Sequence, residues 1–306
     1  MTTECGKERR EPTERTATVS RWLPFSCVDG PGNRLVLFLQ GCNFRCPGCH
    51  NPHTMGLCDH CGYCVATCPS GALTLIEGRP GERRVRWQAA LCTDCDRCID
   101  GCPRHASPKT SQMSVAEVLA LLRRYGPLLT GLTVSGGEAT TQLPFVIALF
   151  TAIRQAQDLS HLTCLLDSNG SLGEMGWQRL LPVLDGAMID LKGWRDSVHH
   201  SLTGVGRERV LASLRLLACH GKLAELRLLH VPGRSDFLDA DGKLEAALVL
   251  FLQSLGPVPI RLNGFRQHGV RGVATSWPEA GRDELTRLAR AVSDRGLGPV
   301  SLPAII

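Results

Sequence analysis

The sequence predicts an α/β protein, an open, partial (β/α)6 barrel interrupted by a small cysteine-rich α+β insert. Three observations predict it. Six short apolar runs, at residues 35–39, 131–135, 162–167, 187–191, 226–231 and 258–263, have the length and composition of strands buried on both faces of a parallel sheet. Helical spacing separates them, as in Val115, Val118, Leu119 and Leu122, in Val210, Leu214, Leu217 and Ala218, and in Leu285, Leu288, Ala289 and Val292. Between the first two runs the pattern is replaced by eight cysteines at a repeated spacing. The residues outside that insert approach the roughly 250 of a closed eight-unit barrel, but six strands suit an open one better.

Composition narrows the function classes. The 306 residues are 43% hydrophobic, enough for a large core. A net charge of +5 from 34 basic and 29 acidic residues is too small and mixed for a nucleic-acid partner. No apolar run approaches the roughly 20 residues that span a bilayer, so no membrane partner is expected. The polar N-terminus lacks a secretory signal, which points to the cytoplasm. Eleven of the 15 cysteines fall into three ligand-spaced groups, which favours metal binding over disulfides. Cys5, Cys27, Cys164 and Cys219 are left over, and Cys164, in an apolar run, reads as a small buried hydrophobe.

In chain order, residues 1–18 mix charges and threonine without periodicity and read as a flexible tail. Residues 19–57 form the first part of the core. The strand at 35–39 delivers Cys42-x-x-x-Cys46-x-x-Cys49, three thiolates within eight residues. A [4Fe–4S] cluster takes four ligands, so three leave one iron open for chemistry. A zinc knuckle borrowing a fourth ligand is equally compatible with these eight residues.

Residues 58–105 form the insert. Cys58, Cys61, Cys64 and Cys68, followed by Pro69, repeat as Cys92, Cys95, Cys98 and Cys102, followed by Pro103. This duplicated spacing is that of bacterial two-cluster ferredoxins, whereas a zinc site needs only cysteine pairs. Crossed ligation is expected: Cys58, Cys61, Cys64 and Cys102 on one cluster, Cys92, Cys95, Cys98 and Cys68 on the other. Spacing alone leaves open that each unit ligates its own cluster. Residues 73–76 and 85–87 flank a turn-rich stretch and predict a hairpin joining the halves.

Residues 106–306 carry the remainder of the barrel. Ser114 to Glu117 match a capping box, and Gly126 can end the helix that follows. Catalytic groups of such folds collect at the C-terminal ends of strands. Gly136-Gly137-Glu138 closes the second run, Asp167-Ser168-Asn169 the third and Asp190-Leu191-Lys192 the fourth. Paired glycines let backbone approach a ligand, and the carboxylate beside them can accept from an ammonium. Turn and cap residues are the plain alternative for Asp167 and Ser168.

The cysteine triad resembles the signature of the radical S-adenosylmethionine (SAM) superfamily. The run from Ser26 to Arg34 and Phe38-Leu39-Gln40-Gly41 resemble the opening strand of one branch, the activating enzymes of glycyl radical enzymes. The likeness spans about residues 20–275 and is similar in detail to the YjjW-type branch. It implies that the open iron chelates SAM through the methionine amino and carboxylate groups. Gly136, Gly137 and Glu138 would then meet the amino group, Asp190 and Lys192 the methionine and ribose, and Asp167 with Asp190 a monovalent cation. Arg227 would fix the carboxylate and His268 the adenosine, although the family's lysine after that histidine is absent here and Arg271 stands nearby. Gly48, His50 and Ser168 complete the cofactor-binding set.

The implied cofactors are three [4Fe–4S] clusters and SAM. The implied reaction is reductive cleavage of SAM and removal of a glycine Cα hydrogen from a partner glycyl radical enzyme, with oxygen kept out. From their charge, Arg79, Arg83, Arg84 and Arg86 of the hairpin read either as a docking site for a flavodoxin or ferredoxin-like electron donor or as a solvated loop. Two rivals remain: a radical SAM enzyme modifying another peptide or small molecule, and an iron–sulfur electron carrier.

Overall fold

The computed structural model describes residues 12–78 and 81–303. Eleven strands are present among them: β1 Thr16–Ser26, β2 Arg34–Leu39, β3 Leu73–Glu77, β4 Arg83–Trp87, β5 Ser111–Ser114, β6 Gly131–Gly136, β7 Thr163–Ser168, β8 Gly186–Leu191, β9 Leu223–His230, β10 Ile260–Gly264 and β11 Val300–Ser301. The helices are α1 Tyr63–Ala66, α2 Arg97–Asp100, α3 Val115–Tyr125, α4 Leu143–Gln155, α5 Glu174–Leu180, α6 Asp196–Thr203, α7 Glu208–Cys219, α8 Ala246–Ser254 and α9 Arg282–Ser293.

One sheet runs β11-β10-β9-β8-β7-β6-β2-β1-β5. All strands from β2 to β11 in it pair in parallel, and helices from α3 to α9 provide the crossovers. The six strands expected from sequence are β2 and β6 to β10. The two edge strands β11 and β5 do not pair, so the sheet stays open. Its strands are nearly continuous apolar runs because both faces are covered, with Leu35, Val36, Leu37, Leu132, Val134, Leu166, Ile189 and Leu228 fully buried.

Three elements go beyond the sequence reading. β1 and β5 pair antiparallel on the β2 side, and β11 adds two residues at the other edge. The boundary of the tail at residue 18 is therefore corrected: Thr16, Ala17 and Thr18 pair with Ser114, Met113 and Gln112, and Ala17 and Val19 enter the core. The remainder of the expected tail, residues 1–11, lies outside the described residues, as does Arg79. The capping box forms as expected: the Ser114 hydroxyl accepts from Glu117 N, and the Ser114 N–H donates to the Glu117 carboxylate. Among the described residues no helix is long and apolar enough to cross a membrane.

The N-terminal end of the barrel is filled by Arg34. Its guanidinium is fully buried and donates to the Thr133 and Thr163 hydroxyls and to the carbonyls of Pro31, Leu132 and Thr163. Burial lowers its pKa to about 10. The insert is a separate small body between β2 and β5. Its hairpin, β3 against β4, covers a core of Cys64, Leu73, Val85, Cys98 and Ile99.

Candidate active site

A cavity of about 730 Å³ opens at the C-terminal ends of the parallel strands. The loop after β2 brings Cys42, Cys46 and Cys49 into it. That loop is held by its own backbone: Gly41 N donates to Thr54 O, Cys42 N to Met55 O and Arg45 N to Thr203 O, at 2.8 to 3.0 Å. The buried Gln40 side chain braces it by donating to the carbonyls of His53 and Gly56. Phe44 N donates to Cys42 Sγ at 3.4 Å.

Burial pushes the Cys42 thiol up to about 12 and Cys46 to about 11, and also raises Cys49. Three thiols so placed stay protonated at neutral pH unless something cationic takes their sulfurs. The Lys192 ammonium favours the thiolates of Cys46 and Cys49. This soft three-sulfur donor set, with polar donors aimed at it, fits one corner of an iron–sulfur cluster.

The strand ends supply the facing wall. Gly136 and Gly137 end β6, and the structure changes the reason for both. A Cβ on Gly136, at φ +133°, would lie 2.1 Å from Leu39 O, and one on Gly137 would lie 2.4 Å from Gly41 O and 2.7 Å from Thr54 O. The glycines let β6 press against the cluster loop, so a side chain there disrupts the fold before it reaches a ligand.

Glu138 is buried and already occupied. Its Oε1 accepts from Thr140 N, the Thr140 hydroxyl and the Ser168 hydroxyl, and its Oε2 accepts from Asn169 N. Burial raises its pKa against those four donors. Only Oε2 keeps room for a ligand ammonium.

Asp190 and Lys192 form an ion pair of 2.6 Å at the end of β8. Burial opposes both charges, but the pair outweighs it, with Arg227 adding to the stabilisation of Asp190. The carboxyl lies below and the ammonium above its usual range. Asp167 moves the other way: burial raises it, against the Arg227 guanidinium at 2.9 Å.

Every cofactor-binding residue expected from sequence lines this cavity except Arg227: Gly48, His50, Gly136, Gly137, Glu138, Asp167, Ser168, Asp190, Lys192 and His268 all do. Arg227 is committed to the barrel interior. Its Nη1 donates to Asp167, its Nε to Glu225 at 2.6 Å and its Nη2 to the Met188 sulfur.

Sequence reasoning missed a latch and an apolar wall. Asn169 Nδ2 donates to Asn43 Oδ1 and Asn43 Nδ2 to the Ser171 hydroxyl, tying the cluster loop to the turn after β7. Leu202, Val231, Phe265 and Trp277 form a cluster apart from the main core and line the cavity, with Arg234 stacked 4.1 Å over Trp277. Asn169-Gly170 was a visible turn signal, but nothing local pairs Asn43 with it.

In the insert, Cys58, Cys61, Cys64 and Cys102 line one small cavity, and Cys68, Cys92, Cys95 and Cys98 line another. His60 N donates to Cys58 Sγ. The return segment takes part in both: Ala106 and Pro108 line the first and Lys109 the second.

Residues 36–236 match the family described as the Radical SAM superfamily. The chain is 30% identical over 237 residues to the isethionate sulfite-lyase activating enzyme of Nitratidesulfovibrio vulgaris, covering 69% of this chain and 73% of that protein. It is also 30% identical over 223 residues to the pyruvate formate-lyase-activating enzyme of Streptococcus mutans, covering 72% and 68%. The fold resembles that of QueE from Escherichia coli, with a TM-score of 0.53 at 14% identity over 98% of this chain and 99% of that one. A cysteine triad on the cavity of an open parallel α/β sheet, in a chain with these relatives, makes this protein a radical SAM enzyme of the glycyl-radical-enzyme activating family.

Proposed function

We propose that Cys42, Cys46 and Cys49 hold the open cluster, that SAM lies against the ends of β6 to β8, and that the hydrogen removed comes from a backbone glycine of a partner glycyl radical enzyme. A [4Fe–4S] cluster held there with an open iron would supply the one electron for reductive cleavage of SAM to methionine and a 5′-deoxyadenosyl radical, the species that would remove the glycine Cα hydrogen and leave 5′-deoxyadenosine and a glycyl radical on the partner. The rest is binding, orientation and exclusion of water and oxygen.

The observation that carries this reading is the shared cavity, in which three thiols, the Gly-Gly-Glu turn and the Asp190–Lys192 pair meet. Lys192 offers an ammonium to a ligand carboxylate or ribose, and Glu138 Oε2 an acceptor to a ligand amino group. Arg227 acts from beneath the floor, holding Asp167 in place, and Asp167 with Asp190 offers oxygens to a monovalent cation. His50 and His268 stand at the mouth, and the wall of Leu202, Val231, Phe265 and Trp277 offers apolar surface to the adenosyl group and the partner's glycine loop. The relatives' names identify lyases as the proteins activated, and the partner assigned here is of that glycyl radical class.

The grouping of the insert's cysteines supports two further [4Fe–4S] clusters with crossed fourth ligands, Cys102 serving the first unit's triad and Cys68 the second's. Exposed Arg83, Arg84 and Arg86 on β4 give the insert a cationic edge suited to an acidic flavodoxin-like donor.

The test uses anaerobic protein with SAM and dithionite. Cys46→Ala should form no 5′-deoxyadenosine while keeping about two clusters' worth of iron; retained cleavage would overturn the assignment. Incubation with its partner glycyl radical enzyme should produce a glycine-centred doublet in electron paramagnetic resonance. Cleavage of SAM with no such signal would favour another substrate.

A further inference from the structure

The two cysteine cavities of the insert differ in one charge. Lys109 enters the cavity of Cys68, Cys92, Cys95 and Cys98 from the return segment outside the repeat. Its side chain is 13% exposed, and its Nζ donates to Asp94 Oδ1 at 2.9 Å and Asp96 Oδ1 at 2.8 Å. Asp94 faces solvent at 83% exposed, while Asp96, 48% exposed, also lines the cavity, so Lys109 is the cation there and Asp96 its partner at the rim. No lysine or arginine among the described residues lines the cavity of Cys58, Cys61, Cys64 and Cys102. The nearest pair there, Arg104 with Asp59, lies on the surface.

The backbone fixes the lysine in place, since Lys109 N donates to the Ser107 hydroxyl and Ser107 N to His53 O in the loop after β2. Burial works against its charge, but Asp96 and Asp94 outweigh that and keep it protonated above the usual lysine range.

We propose that Lys109 is an electrostatic tuning residue, a fixed positive charge that raises the reduction potential of the cluster held by Cys68, Cys92, Cys95 and Cys98 and sets it apart from its neighbour. The proposal rests on the two-cluster reading of the insert. Reduction adds a negative charge to a cluster that already carries thiolates, and net charge close by is among the factors that set such potentials. A partly buried ammonium is screened less by salt and water than a surface one. The repeat supplies the same four ligands twice, and the chain beyond it breaks the symmetry.

The test is a redox titration of the full chain, reconstituted anaerobically and followed by electron paramagnetic resonance. Added SAM perturbs the open cluster's signal and so separates it from the insert's. Lys109→Met should shift one midpoint to more negative potential and leave the other two, while Asp96→Asn should shift the same midpoint the opposite way. Lys109→Arg should stay close to the parent.

Full iron content with no shift in Lys109→Met would overturn the proposal. If Lys109→Met and Asp96→Asn both lose one cluster's iron, the triad is a mechanical staple, which also overturns it. Parent protein with iron for only one cluster would show instead that the two-cluster reading had failed, a result visible before any variant is made.

Discussion

The barrel and the insert are built from the same chain by different physics. The barrel buries a continuous apolar core that runs through β2 and β6 to β10 and the helices against them. Among its described residues the insert has a core cluster of five buried side chains, and two of those, Cys64 and Cys98, are ligand candidates. A body of that size falls below what a hydrophobic core alone sustains. The barrel is thus a scaffold that accepts a cofactor, while the insert, on the proposed two-cluster reading, is held together by what it binds.

Iron removal breaks or confirms this contrast most directly. Chelation under reducing, anaerobic conditions should open the insert to protease at residues 58–105 while the barrel stays resistant, with cut sites mapped by mass spectrometry. Early cuts between α4 and β10 would refute the division. Next in size, Leu132→Ala should cost about 2–5 kcal/mol in denaturant unfolding of the barrel. It should leave the ferredoxin-type visible absorbance unchanged until the barrel itself unfolds.

Thiol chemistry sharpens the comparison further. In iron-free protein burial in the barrel pushes the Cys42 and Cys46 thiols up to about 12 and 11, while Cys68 belongs to the insert that opens to solvent when iron is removed. Two pKa units amount to roughly a hundredfold in thiolate population at pH 8. Iodoacetamide should therefore label Cys68 well before Cys42 or Cys46, the gap closing as pH rises toward their pKa values. Equal rates at pH 8 would place the barrel thiols in water. The smallest effect expected is at the joint between the regions, where Ser114→Ala removes the capping box of α3 at a cost of about 1 kcal/mol.

Much of the barrel was legible because β2 and β6 to β10 are apolar runs flanked by glycine or a polar strand end, and their ends carry the polar groups of the cavity. The missed strands lacked that signal. β5 is Ser-Gln-Met-Ser, and β11 has two residues, so each is fixed by its neighbour rather than by its own pattern. β1 carried a faint alternation in Ala17 and Val19, obscured by the charged segment before it and by Pro24.

At the site, residue types and strand ends named the cavity's members, but not what each side chain is already doing. Arg227 sits at the right strand and spends its guanidinium on Asp167 and Glu225. The Asn43–Asn169 latch joins residues 126 positions apart, a distance at which no local spacing rule applies.

The chain leaves the barrel for the insert and returns to it at one spot, where Gly56 and Ala106 form a parallel bridge. Gly56 fits only because it has no side chain: a Cβ would lie 2.4 Å from Arg104 O. Bridged strands lie about 4.8 Å apart, and because these run parallel a crossover of about a dozen residues could replace everything between. On the proposed two-cluster reading, excising the segment between them would remove both clusters without moving a barrel strand, and Lys109, just past the bridge, would remain with no cluster to act on.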